Sequence, residues 1–228
     1  HALVPADRGE QGGRRRAARA RAGARGGVAW TQGAMAMDRT DDEITRMRTG
    51  RPQHRNPVQR DTITWLRTGA ETGGEHALLH VEVEPGGEVL AHYHRRIGMH
   101  LRVLEGTLRV QVGHVVRDLG PGREVEIPEE HLFRWKNPSA ASARFVVELR
   151  PAPACLEKGL VALYGLARDG RTRRDGRPRS LLRTALLMQW TDIGLPGIYR
   201  WLGPVLRGLA AAACRRGIDR ELEERYCR

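Results

Sequence analysis

Lysine is almost missing from this 228-residue chain. Lys136 and Lys158 are the only two among 39 basic residues, so nearly all of the positive charge is arginine. That bias reads as the mark of a GC-rich genome rather than of a recognition surface. The net charge of +12 is also unevenly spread: residues 1–34 carry seven Arg against two acids, and residues 151–228 fifteen Lys plus Arg against eight. The stretch between them is formally neutral, which argues against nucleic acid as its partner. Cysteine is scarce. Cys155, Cys214 and Cys227 make an odd set with no CxxC pair, which fits a reducing cytoplasm better than a disulfide framework. The Arg-rich N-terminal stretch holds no apolar core segment of the kind a secretory signal needs. No long apolar run is free of breaks: Leu195–Cys214 comes nearest, but Arg200, Pro204 and Arg207 interrupt it. It is expected to pack on the rest of the protein or across a homodimer, with peripheral membrane contact as the rival use. No helix-turn-helix pattern stands out, although the Arg-rich loop 171–179 leaves a nucleic-acid reading open.

What remains is enough for a buried core: 40% of the residues are hydrophobic. Residues 1–56 form a basic tail and polar lead-in. The first thirty-four are Arg-, Ala- and Gly-rich without strand or helix periodicity, and Met35 or Met37 is the expected native start. The acidic run Asp41-Asp42-Glu43 is placed to start a short helix. From 57 to 151 strand-like runs follow closely: Asp61–Thr68, His76–Glu84, Glu88–His94, His100–Val112, His114–Leu119, Arg123–Ile127, His131–Lys136 and Arg144–Arg150. Gly- or Pro-bearing turns separate most of them, the pattern of an antiparallel sandwich or barrel. After Pro151-Ala152-Pro153 helical patterning takes over, over Leu156–Ala167, Ser180–Trp190 with Ser180 as N-cap, Ile198–Cys214 and Arg220–Tyr226. Residues 152–228 are therefore read as a helical C-terminal extension.

The most informative stretch is Pro85–Gly106. His92 and His94, two residues apart in a strand, project from the same face, and two converging imidazoles are the start of a metal site. Pro85-Gly86, His92-x-His94 and Val103-Leu104-Glu105-Gly106 resemble the first motif of the cupin family. A second motif is recognisable in Gly120, Gly122, Ile127-Pro128 and Asn137-Pro138. The resemblance covers about 61–151 and implies a mainly β fold, a cupin jelly-roll (double-stranded β-helix) barrel with a C-terminal α-helical extension. The tail is similar to that of actinobacterial-type cupin proteins. The family also supplies a Glu and a third His as metal ligands; here those positions carry Met99 and Phe133.

Two readings follow. In the first, Met99, Leu101, Phe133 and Trp135 wall an apolar pocket that binds a small organic molecule beside a degenerate metal site. In the second, His92 and His94 hold one divalent transition metal (Mn, Fe, Ni, Cu or Zn) in an oxygenase or isomerase. His131, His100, His80 or Glu130 would then supply the third ligand. A third reading puts the function in the basic helical tail, at a membrane surface or an interaction partner. The expectation adopted is a cytoplasmic bacterial small-molecule-binding protein, metal-bearing or metal-free, with no nucleic-acid partner.

Overall fold

The structure is a computed structural model that describes residues 28–32, 40–194, 196 and 202–227. The expectations for the basic tail and for the Met35 or Met37 start fall mostly outside those residues. The strands are β1 (Trp30–Gln32), β2 (Gln53–Asn56), β3 (Asp61–Arg67), β4 (Ala77–Val83), β5 (Glu88–His94), β6 (Gly98–Glu105), β7 (Leu108–Val112), β8 (Val115–Leu119), β9 (Arg123–Ile127), β10 (Phe133–Lys136), β11 (Ala143–Arg150) and β12 (Ile193–Gly194). They form two antiparallel sheets, ordered β1-β9-β6-β11-β4-β3-β2 and β12-β5-β10-β7-β8.

The expected jelly roll is present, but not as a closed barrel. Among the described residues no strand pair bridges the two sheets, because the chain crosses between them through turns. The crossing from β4 to β5 shows why glycine is needed: a Cβ on Gly87 would meet Arg60 O and Val83 Cγ1, each at 2.7 Å. The run expected over His100–Val112 is broken at Gly106, which adopts φ +73° and sends β6 and β7 to different sheets. The Asn137-Pro138 turn is tied by the buried Asn137, whose Nδ2 donates to Val83 O (3.0 Å) and Ala141 O (2.8 Å).

Alternation builds the core. On β6, Met99, Leu101 and Val103 are buried between the sheets, while His100 and Arg102 face outward. The inner faces of β3, β4, β7, β9 and β11 add Ile63, Leu79, Val110, Val125 and Phe145. Outside the seven-stranded sheet, α1 (Asp41–Arg48) covers Leu66, Leu78 and Val146 with Ile44. Thr40 caps it by accepting from Glu43 N, and its first turn holds Asp41, Asp42 and Glu43, as their charge against the helix dipole requires.

The C-terminal helices are α2 (Ala154–Arg168), α3 (Leu181–Trp190), α4 (Gly203–Arg215) and α5 (Ile218–Tyr226). Ser180 caps α3 as expected, accepting from Arg183 N. α2 has two jobs. Leu156 and Tyr164 enter the core between the sheets, whereas Val161, Ala162 and Leu166 join Leu186, Leu187, Ala213 and Leu222 in a second, helical cluster.

Candidate functional site

Phe133 on β10 pairs with His92 on β5, and Trp135 pairs with Val89. Two residues on one strand thus span three on the other, a β-bulge at Leu90-Ala91 that resets the alternation. Both Val89 and His92 consequently lie toward the core, and His94 follows at the next inward position. The pair expected from the His-x-His spacing is real: the imidazole centroids are 5.3 Å apart at 77°.

Hydrogen bonds orient both rings. His92 Nδ1–H donates to Leu90 O (2.8 Å) across the bulge, and His94 Nδ1–H donates to Thr191 O (2.9 Å) at the end of α3. Each ring is left with an Nε2 lone pair and, among the described residues, no protein partner for it. Burial is the main cause that lowers the pKa of both; His94 falls to about 3, helped by the neighbouring His92. At physiological pH the site presents two neutral hydrogen-bond acceptors.

These rings border a cavity of about 440 Å³, to which Met99, Leu101, Phe133 and Trp135 all contribute. The four residues expected to wall a pocket therefore meet the two histidines in one place. The Phe133 ring lies 4.3 Å from that of His92 and 5.9 Å from that of His94. Trp135 packs edge-on against Phe145 at 5.6 Å. The volume falls in the range of drug-sized ligand sites.

Sequence reasoning missed two parts of the wall. Asp61 at the start of β3 and Tyr164 of α2 both line the cavity, and Tyr164 OH donates to Asp61 Oδ2 at 2.7 Å. Burial raises the Asp61 pKa to about 7 against the opposing pull of the Tyr164 hydrogen bond. Inward alternation with Ile63 and Trp65 marks Asp61 in the sequence; Tyr164, 103 residues on, carries no such signal. The second part is the C-terminal strap. β12 pairs with β5 through Ile193↔His94 and Gly194↔Tyr93. Arg95 N donates to Asp192 O (3.2 Å) and Arg96 N to Asp192 Oδ2 (2.7 Å). Leu187, Met188 and Thr191 then close one side of the cavity.

None of the proposed third metal ligands joins His92 and His94. His80 lies on the face of β4 opposite the core, near Arg48, Glu82 and Arg144, with its pKa lowered to about 4 chiefly by burial. His100 points outward and pairs with Glu124 Oε2 at 3.1 Å. His131 precedes β10 and donates through Nδ1 to Glu129 O (3.0 Å). Glu130 is exposed in a turn with φ +60°. Strand parity removes His80 and His100, and the turn before β10 removes the other two. Among the described residues no group of three or more His, Cys, Asp or Glu converges on one point. The groups facing the two imidazoles are a phenyl ring and a thioether, and among the described residues no carboxylate, thiolate or third imidazole completes the usual nitrogen and oxygen donor set.

Two antiparallel sheets border a ligand-sized cavity, with paired histidines on an inner strand and helices appended, in a jelly-roll arrangement. The family model described as "Cupin domain" matches residues 79–148, which lie within the two-sheet region, and the C-terminal helices follow that match. Among solved structures it is similar to the Schizosaccharomyces pombe Cnp3 cupin domain, at 16% identity and TM-score 0.38, covering 40% of this chain and 65% of that one. It is also similar to a predicted oxalate decarboxylase from Thermotoga maritima, at 12% identity and TM-score 0.44, covering 46% and 96% respectively. A third is the polyketide cyclase RemF from Streptomyces resistomycificus, at 23% identity and TM-score 0.41, covering 50% and 80%. No curated protein matches the sequence. Among the described residues no helix is long and apolar enough to cross a membrane.

Proposed function

We propose that the protein binds a small, largely apolar organic molecule between its two sheets, with a ligand hydroxyl donating to Nε2 of His92 or His94. One observation carries this reading: two neutral imidazoles, each fixed by its Nδ1–H, present free acceptor atoms at an apolar cavity of about 440 Å³. An apolar wall supplies affinity, and a few placed polar groups supply orientation. Phe133 and Trp135 offer aromatic faces, and Met99 adapts to irregular shapes. The disposition suits a flat, hydroxylated ring compound.

Titration with 2-naphthol tests it. Wild-type protein is expected to bind one equivalent saturably, and Met99→Trp, which fills the cavity, to weaken binding at least tenfold. Absence of saturable binding, or equal binding by Met99→Trp, contradicts the reading.

A further inference from the structure

Tyr164 and Asp61 are often what a fold uses as a fastening, here of α2 to the seven-stranded sheet. A fastening, however, occupies only one carboxyl oxygen. Tyr164 OH satisfies Asp61 Oδ2, while Oδ1 is buried and, the residue's own backbone N–H aside, has no hydrogen-bond partner among the described residues. Asp61 as a whole is only 1% exposed, and it sits on the inner face of β3 in the wall of the same cavity as the histidines. Buried polar atoms are rarely left unsatisfied, and the exceptions call for an explanation. In the wall of a ligand-sized cavity, such an oxygen is placed to meet a ligand atom.

We infer that Asp61 is a second polar anchor of the cavity, binding a carbonyl oxygen of the ligand opposite the hydroxyl held by His92 or His94. This rests on the ligand-binding reading above and narrows its ligand class to apolar ring compounds carrying both a hydroxyl and a carbonyl group. The chemistry of the pair favours a carbonyl partner. With Tyr164 donating to Oδ2, a neutral Asp61 carries its proton on Oδ1, which becomes a donor in need of an acceptor. Burial favours that neutral form, because an uncompensated carboxylate in an apolar wall is costly. Among the described residues no cationic side chain is bonded to Asp61 to offset a charge. The two anchors also come from opposite layers, Asp61 from the seven-stranded sheet and His92 and His94 from the five-stranded one. A ligand held by both would span the space between them.

The test compares 2-naphthol with 6-acetyl-2-naphthol, which adds a carbonyl at the far end of the same ring system. At pH 6 wild-type protein is expected to bind the acetyl compound at least tenfold more tightly. The double variant Asp61→Leu/Tyr164→Phe, which replaces both partners with apolar groups of similar shape, is expected to bring the affinity ratio to about one. Wild-type protein binding both compounds equally overturns the inference and leaves the ligand-binding reading standing, without any need for a variant. A tenfold preference that survives in the double variant also overturns it. Wild-type protein binding neither compound overturns the ligand-binding reading and this inference with it.

Discussion

Phe133 stands directly opposite His92 on the neighbouring strand, with its ring 4.3 Å from the imidazole. At the position where the family resemblance implies a third histidine, the chain therefore places a phenyl wall. Phe133→His would set a third imidazole against the existing pair. Isothermal titration with Zn²⁺ or Ni²⁺ is expected to give weak binding for wild-type protein and binding tighter by at least a hundredfold for Phe133→His/Met99→Glu. Near-stoichiometric metal in purified wild-type protein that disappears in His92→Ala would show that the apolar replacements leave a working metal site.

Asp61 gives the stability curve its pH dependence. Its pKa rises from 3.8 when exposed to about 7 in the fold, so between those values the folded state holds a proton that the unfolded state has lost. The associated stability is complete below about pH 4 and is lost as pH rises through 7, on the order of 4 kcal/mol at about 1.4 kcal/mol per unit. Urea titrations from pH 4 to 8 are expected to show this decline on top of the contributions of other groups. Asp61→Asn should flatten it; an unchanged slope in that variant contradicts the assignment.

Asp192 ties the C-terminal strap to the strand that bears the histidines. Its carboxylate accepts from Arg96 N at 2.7 Å, and its own carbonyl accepts from Arg95 N at 3.2 Å. The Arg96 guanidinium adds less, because that side chain is 77% exposed. Asp192→Ala is expected to raise amide exchange over residues 93–96 and to speed release of bound 2-naphthol. Gly194→Ala should do the same by another route, since a Cβ there would clash with the hydroxyl-bearing edge of the Tyr93 ring. Wild-type exchange rates in both variants would mean that the strap is not held by these contacts.

Phe145 is 2% exposed at the centre of the core, edge-on to Trp135. Truncation to Ala leaves a void behind Trp135 and is expected to cost about 3–5 kcal/mol. Denaturant unfolding should register it at unchanged m-value; a loss below about 1 kcal/mol would show that the cavity wall collapses freely.

The two-layer β fold was legible because its inner strands alternate: Met99, Leu101 and Val103 identify one face of β6 without help from the rest of the chain. The His92 and His94 pair follows from the same local rule, whereas Met99 and Phe133 stand out through the family resemblance, whose ligand positions they occupy. What stayed hidden depends on distance or irregularity. β2 reads QHRN and β1 is three residues long in a low-complexity stretch, so neither shows a period, and both form by pairing to an existing edge. The bulge at Leu90-Ala91 breaks the period-two rule and appears only when β10 is laid beside β5. The contacts of Thr191 with His94 and of Tyr164 with Asp61 join residues 97 and 103 positions apart. Both come from the helical extension, where apolar spacing reports helix and does not report which strand end it meets.

The most direct measurement is a crystal structure of the wild-type protein soaked with 2-naphthol. The ring system should lie between the sheets against Phe133 and Leu101, with its hydroxyl within hydrogen-bond reach of Nε2 of His92 or His94. A cavity filled only by water, or a ligand bound solely on the outer surface, would contradict the account.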